Sequence, residues 1–294
     1  MIVLIKFRKD HPFLFAICVG ALFLLTVRGL GNPLTDVIMG LMPGQETLAD
    51  NLGTLAIEIV LALEMLVILH FTDRMYLITK KGRGFFSGLA IGGYCFGFLA
   101  YMTVVALVGG FEEGPIDFTA ASVVYVLSML MVGIAEEFEA RAIIAETFLE
   151  HFGTARKGAL CAAGASGLIF GLMHLSNAIG GSFAETLPQV ILCISGGILY
   201  GVIYYRGGNI WSIAVIHGIN DVVASISEWL FAGGVSAASD PSATLSASQM
   251  IFTCCLAAIE IGVSLYLLRK KRQDEVKETW PDIPEDPKAL AEAN

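Results

Sequence analysis

The sequence predicts an all-α integral membrane protein with about eight transmembrane helices. Three observations favour this fold class: the composition, the grouping of apolar residues into long blocks, and the uneven placement of lysine and arginine. Of the 294 residues, 55% are hydrophobic and 15% are charged, and the mean hydropathy is +0.72. Soluble domains reach only about 45–50% apolar residues even when glycine is counted. The composition therefore favours a membrane protein.

The apolar residues form blocks of the length that a membrane-crossing helix needs, which is about 20 residues. These blocks cover residues 12–30, 54–72, 85–108, 118–138, 158–176, 187–205, 209–230 and 248–268. A β-sheet in lipid would leave backbone groups unpaired at its edges, so helices are the expected spanning elements. The first block has a basic start but no small-x-small cleavage site, so we interpret it as a retained helix rather than a signal peptide.

Lysine and arginine precede the first block, follow the last one and occupy alternate loops between them. They are Lys6, Arg8, Lys9, Arg74, Lys80, Lys81, Arg83, Arg156, Lys157, Arg206, Arg269, Lys270, Lys271 and Arg272. In the other loops only Arg28 stands out, at the start of the first. The positive-inside rule then places both termini in the cytoplasm, as an even number of spans also requires. The basic residues are topology signals, and no nucleic-acid partner is expected.

The cysteines indicate neither a disulfide framework nor a thiolate metal site. All six lie inside apolar blocks and none forms a CxxC pair. We expect buried thiols that pack as small apolar groups.

Ionisable residues inside spans are costly and are therefore functional candidates. Glu58 and Glu64 in the second span and Glu260 in the eighth have no evident partner, and we expect packing or interfacial roles for them. A larger set lies in spans four, five and seven. It comprises Glu136, Glu137, Glu139, Arg141, His174, His217 and Asp221.

The stretch "GIAEEFEARAII", residues 133–144, places four charges on about two helical turns. Glu137 and Arg141 are four residues apart, so they are helix neighbours and can form an ion pair. Glu136 is then left to accept a proton, because two adjacent carboxylates with one cation can hold different ionisation states. We expect Glu139 on another face, solvated or paired with a cation nearer the cytoplasm.

Two histidines complete the set. His174 follows Phe170 by four residues, and His217 precedes Asp221 by four. Either histidine alone is more often a hydrogen-bonded core residue. Together with the glutamates they are hard to explain as packing, because burying so many polar groups without a function costs several kcal/mol.

If both spans were straight and uninterrupted helices, the two histidines would lie at different depths in the membrane. His217 lies about 12 Å into its span, counted at 1.5 Å per residue from Asn209, whereas His174 lies near the outer end of a span that starts at Gly158. The two can meet only if span five starts later, tilts or breaks at its glycines. We expect residues 156–163 at or below the cytoplasmic interface. Three glycines give this span a thin side for close helix approach, namely Gly164, Gly167 and Gly171.

These residues resemble the motifs of the CPBP family, the CAAX proteases and bacteriocin-processing enzymes, also called Abi. "EEFEAR" (136–141) resembles its EExxxR motif, "FGLMH" (170–174) its FxxxH motif and "HGIND" (217–221) its HxxxN/D motif. The resemblance covers roughly residues 118–225. It implies an all-helical intramembrane endopeptidase with a water-accessible site among the motif helices.

The resemblance also implies roles. Glu136 would be the general base on water, His174 would help to hold that water, and His217 with Asp221 would line the oxyanion side. Glu137 and Arg141 would form a structural pair. A zinc-dependent version would use Glu136, His174 and His217 as ligands, whereas a glutamate base with a histidine-polarised water needs no metal.

The chain departs from the family pattern at three positions. Ala140 and Ala142 stand where family members commonly have Phe and Gly, and Asp221 stands where Asn is common. An ionised Asp221 cannot donate a hydrogen bond to an oxyanion, so it is protonated, orients His217 or ligates a metal. Neighbouring Asn220 could donate but is turned by about 100°.

The leading hypothesis is an endopeptidase that hydrolyses a peptide bond of a membrane-associated peptide or protein. Substrate and membrane lipids are the expected partners, and a prokaryotic chain would lie in the plasma membrane. One alternative is a catalytically silent scaffold or bacteriocin-immunity protein of the same fold. Another is a proton-coupled transporter, which predicts broken helices and internal repeats; the sequence shows no such repeats.

The expected organisation has four parts. Residues 1–117 form three N-terminal membrane helices, and residues 118–225 form the CAAX-protease-like core. Residues 226–268 contain an outer linker loop and the last span. Residues 269–294 are acidic and contain proline, a composition that predicts a disordered cytoplasmic tail.

Overall fold

The computed structural model describes residues 1–179, 181–232 and 244–287. An isolated antiparallel bridge joins Ile116 to Phe231, and the other regular elements of these ranges are helical. The α-helices are α1 Ile2–Asp10, α2 Pro12–Leu41, α3 Glu46–Phe71, α4 Tyr76–Thr79, α5 Phe85–Ile91, α6 Gly93–Glu113, α7 Ala120–Glu137, α8 Glu146–Phe152, α9 Arg156–Met173, α10 Phe183–Gly207, α11 Ile210–Ala224, α12 Ile226–Leu230, α13 Ala247–Leu267 and α14 Gln273–Thr279. A π-helical segment, Phe138–Ala145, joins α7 to α8, and 3₁₀ turns cover His174–Ala178 and Lys270–Arg272.

Seven helical stretches of the described residues are long and apolar enough to cross a membrane. They are Pro12–Leu41, Glu46–Phe71, Gly93–Glu112, Ala120–Phe152, Arg156–Ala178, Phe183–Gly207 and Ala247–Leu267. The remaining predicted block contains α11, a shorter apolar helix of 15 residues. The predicted fold class is confirmed, and the protein is a multi-pass integral membrane protein.

Two predicted spans are interrupted in the structure. The block 85–108 is divided at Gly92 into α5 and α6, and the block 209–230 is divided at Ser225 into α11 and α12. As a result α11 is only about 22 Å long. This is less than the roughly 30 Å hydrocarbon thickness.

Glycines set the closest helix crossings. A Cβ atom on Gly133 of α7 would lie 2.5 Å from the backbone nitrogen of Gly218 in α11, so only glycine fits at this crossing. Gly167 and Gly171 of α9 face α10 in the same way, as predicted. Gly164, which we expected on the same thin side, has no neighbouring atom within 4 Å of a Cβ built there.

The segments predicted to lie in the cytoplasm contact one another and form one face, which we call the basal face. Arg8 of α1 contacts Glu150 at 2.6 Å, Arg206 contacts Glu275, and Arg156 donates to the carbonyl of Leu268 at 2.7 Å. The basic loops therefore share one side of the molecule. The cytoplasmic location of that side and of both termini stays a prediction.

The expectation of a disordered tail is wrong for residues 270–287. Trp280 is 2% exposed, and its indole Nε1 donates to the carbonyl of Tyr205 at 2.9 Å. The ammonium of Lys80 lies 3.5 Å from the centre of the Trp280 ring, and Glu275 pairs with Arg206. The tail docks because its few apolar side chains are buried against the basal face and its acidic side chains form ion pairs with loop arginines.

Two predicted segments lie partly outside the described residues. These are the outer linker loop, of which residues 233–243 are not described, and the end of the tail, residues 288–294. The division of the chain into four parts stays a prediction.

Candidate active site

The EEFEAR motif lies where α7 changes into the π-helical segment. Glu136 and Glu137 end α7, whereas Glu139 and Arg141 belong to the π-helix. Single π-turns inside α-helices occur frequently at functional sites. The predicted ion pair forms across this junction, with Arg141 Nη1 2.9 Å from Glu137 Oε1 and both side chains fully buried.

Glu137 has a second partner that the sequence did not reveal. Its Oε1 lies 2.7 Å from Nδ1 of His217 on α11. A carboxylate oxygen accepts, so Nδ1 of His217 carries the proton of this hydrogen bond. Glu137 therefore fixes the orientation of the imidazole as well as compensating Arg141.

The other nitrogen of His217 faces the cavity. Nε2 lies 3.5 Å from Glu136 Oε2 and 3.6 Å from Asp221 Oδ2. The side chains of Glu136 and Asp221 are 20% and 23% exposed. Both distances exceed those of a normal hydrogen bond, so the three groups surround a small space that they do not close.

His174 approaches the same space from α9. Its Nδ1 lies 2.9 Å from the carbonyl oxygen of Phe170. Because a carbonyl only accepts, a neutral His174 carries its proton on Nδ1 and presents the lone pair of Nε2. Helix α9 runs without a break from Arg156 to Met173, so the two histidines meet without the break at glycines that the sequence allowed.

Aromatic rings hold the two histidines and the arginine in place. The ring of Phe170 lies edge-on to His174 at 4.9 Å and to His217 at 5.9 Å. The guanidinium of Arg141 lies 4.9 Å from the same ring and 5.4 Å from that of Tyr200. Phe170, the first residue of the FGLMH motif, therefore packs against both histidines and the arginine.

A cavity of about 780 Å³ contains the site. Glu136, His174, His217 and Asp221 line it, together with Asn220. Glu137 and Arg141 lie behind the wall, fully buried. The structure thus brings all six predicted site residues together, four on the cavity surface and two supporting it.

The residues do not present a preformed metal site. Within the described ranges, no three His, Cys, Asp or Glu side chains converge in an arrangement that could hold a metal ion. Each histidine offers Nε2 to the cavity, since both Nδ1 atoms are engaged. A zinc bound by Glu136, His174 and His217 stays a prediction.

Sequence reasoning misplaced Glu139. It was expected to be solvated or ion-paired, but it is 1% exposed and lines the cavity, and neither carboxylate oxygen has a hydrogen-bond partner among the described residues. Residues three apart on a helix are neighbours, so the spacing from Glu136 was the signal that could have placed it. Glu58 and Glu260 also line the cavity, whereas Glu64 accepts a hydrogen bond from Thr26 at 3.1 Å.

Carboxylates and imidazoles line this cavity between spanning helices, and such groups are suited to acid–base chemistry by an intramembrane enzyme. Residues 118–223, which include all six predicted site residues, match the family model described as type II CAAX prenyl endopeptidase Rce1-like. This match supports the membrane peptidase that the motifs indicated. No curated protein and no solved structure matches the chain.

Proposed function

We propose that the protein is an intramembrane endopeptidase that hydrolyses a peptide bond of a membrane-associated peptide or protein, with Glu136 as the general base. The observation that carries the proposal is the unequal environment of two adjacent glutamates. Glu137 is fully buried between Arg141 and His217, whereas Glu136 opens onto the cavity. A carboxylate held by two donors is stabilised as an anion, so Glu136 is the one that takes a proton from water.

The attacking water binds between Glu136 and His174. Glu136 accepts one of its protons, and Nε2 of His174 accepts a hydrogen bond from the other. This leaves an oxygen lone pair directed at the substrate carbonyl carbon. As the C–O bond forms, the proton moves to Glu136, which then delivers it to the departing amine nitrogen as the C–N bond breaks.

His217 stabilises the oxyanion when both of its ring nitrogens carry protons. Nδ1 donates to Glu137, so Nε2–H is the donor available on the cavity side. An imidazolium there faces Glu136, Glu137 and Asp221, whose negative charges complement it. Asp221 then stabilises the charged form of His217 rather than contacting the oxyanion. This role explains an aspartate at this position, although an ionised aspartate cannot donate a hydrogen bond to the oxyanion.

Glu136→Gln tests the proposal. Glutamine keeps the shape of the side chain but cannot accept a proton from water, so cleavage should fall by at least the 10²–10⁴-fold typical of a general base. Substrates are first identified by comparing membrane peptides of cells that express wild type or Glu136→Gln, and cleavage is then measured with purified protein. The matched control is Glu150→Gln, a glutamate on the same helical stretch that lies outside the cavity. Wild-type activity in Glu136→Gln would refute the assignment of the base.

The two histidine variants test the remaining roles. His174→Ala and His217→Ala should each lose about 10²–10³-fold in kcat, the usual effect of removing an oxyanion or positioning group. A metal assay on the same samples tests the metal-free mechanism. Full activity in strong chelator supports it, and stoichiometric zinc lost on mutation of either histidine contradicts it.

A further inference from the structure

The cavity wall beyond the proposed catalytic residues is acidic. Five carboxylates line it, those of Glu58, Glu136, Glu139, Asp221 and Glu260. Among the described lining residues, Arg28 is the one lysine or arginine. A single general base does not require so many carboxyl groups in the wall.

Glu139 is the member that most needs a partner. It is 1% exposed, and both of its carboxylate oxygens are buried without a hydrogen bond from the described residues. An ionised carboxylate buried without a partner is strongly unfavourable. A Cβ built on Gly20 of α2 would lie 3.5 Å from Glu139 Oε1 and 2.9 Å from the sulfur of Met173, so the missing side chain lets α2 approach Glu139 and Met173 closely.

Glu58 of α3 is in a similar state. Its Oε2 is buried and has no hydrogen-bond partner among the described residues. It lines the same cavity as Glu136 and Asp221, so it belongs to the same acidic wall. Glu260, in contrast, accepts a hydrogen bond from Ser195.

The protein's own arginines near the cavity are already engaged. Arg141 is paired with Glu137 and lies behind the wall. Arg28 donates to the carbonyl of Ser176 at 2.6 Å and lies near Asn177. Neither guanidinium forms an ion pair with Glu139 or Glu58.

We propose that Glu139 is a subsite for a cationic side chain of the substrate, a lysine or arginine close to the bond that is cut, in a cavity wall that also carries Glu58. The inference rests on the proposed function, because it names the substrate class of the same cavity. A substrate cation removes the unfavourable burial of unpaired carboxylates, and hydrogen bonds between charged groups are the strong ones. A substrate with an acidic side chain at this position is repelled by the same wall.

Matched synthetic peptides in detergent micelles test the subsite. The two peptides of a pair have the same sequence except at one position near the cleaved bond, where one peptide has lysine and the other has norleucine. Wild type should cut the lysine peptide with a kcat/KM about 10–100-fold higher, the range that corresponds to a hydrogen bond to a charged group. Glu139→Gln should remove this preference, so that kcat/KM for the lysine peptide falls to the value for the norleucine peptide.

Glu64→Gln is the matched control. Glu64 lies on α3 six residues after Glu58 and is bonded to Thr26 rather than placed in the cavity wall. This variant should keep the lysine preference. If Glu139→Gln lowers kcat/KM equally for both peptides, the proposal is overturned, because Glu139 then acts as a neutral group or a packing residue.

Binding separates this inference from the proposed function. The affinities of the lysine and norleucine peptides are measured for Glu136→Gln and for the Glu136→Gln/Glu139→Gln double variant. A lysine preference that disappears in the double variant supports the subsite even if wild type cuts neither peptide. Cleavage without any lysine preference would overturn the subsite and leave the proposed endopeptidase standing.

Discussion

Two clusters of buried charge lie on the continuous helical stretch from Ala120 to Phe152. The site cluster contains Glu136, Glu137, Glu139 and Arg141, with His217 and Asp221 facing them from α11. The basal cluster contains Glu146 and Glu150, with Arg8 and Arg74 facing them from the basal face. In the basal cluster two arginines match two glutamates, whereas in the site cluster one arginine serves an excess of carboxylates.

The basal cluster has the features of a structural element. Arg74 is 3% exposed and contacts both Glu146 and Glu150, and it donates to the hydroxyl of Thr147 at 3.3 Å. Burial lowers the pKa of Arg74 to about 10, so the guanidinium remains charged at neutral pH. Buried charge alone therefore does not mark a functional site; unmatched charges beside an open cavity do.

The largest effect is expected from Arg141→Ala. It removes the one arginine of the site cluster and leaves Glu137 fully buried without its ion pair, which should cost about 3–5 kcal/mol. The free energy of unfolding in detergent and the amount of accumulated protein measure this loss. Glu136→Ala is the control and should accumulate normally, because Glu136 lines the cavity and is not the ion-pair partner of Arg141. Equal protein levels for the two variants would contradict the structural role of the pair.

A loss in the same range is expected from Arg74→Ala in the basal cluster. Arg8 still contacts Glu150, but Glu146 is fully buried and, of the described residues, keeps only the Tyr76 hydroxyl at 3.5 Å, so the cost should be about 3–5 kcal/mol. The activity per folded molecule should stay at the wild-type value, because the cluster lies outside the cavity. A fall in kcat in the folded fraction would show that the basal cluster also serves the reaction.

The smallest effect is expected from Glu278→Gln. Its pair with Arg83 is 3.2 Å long, and the two side chains are 70% and 36% exposed. Exposed pairs contribute about 0–1 kcal/mol, so thermal unfolding should be nearly unchanged. A large destabilisation would mean that the docked tail depends on this contact more than on Trp280.

The sequence predicted the features that depend on composition or on short spacing. The spans follow from apolar blocks, and the Glu137–Arg141 pair follows from the i, i+4 relation. The hydrogen bond from His217 to Glu137 joins residues 80 positions apart, so no local pattern could reveal it. The docked tail was missed although Val276, Trp280 and Ile283 are spaced as on one helix face; its acidic composition outweighed that signal.

The π-helical segment between the two clusters determines their relative orientation. Its i→i+5 hydrogen bonds place one more residue in each turn than the i→i+4 bonds of an α-helix. It therefore fixes the angular register between Glu137, which faces α11, and Glu146, which faces Arg74. Deleting one residue from Phe138–Ala145 would change this angular register, so that both clusters could not contact their partners at once. The π-helical segment thus sets the rotation that lets the site cluster face α11 while the basal cluster of the same helical stretch faces Arg74.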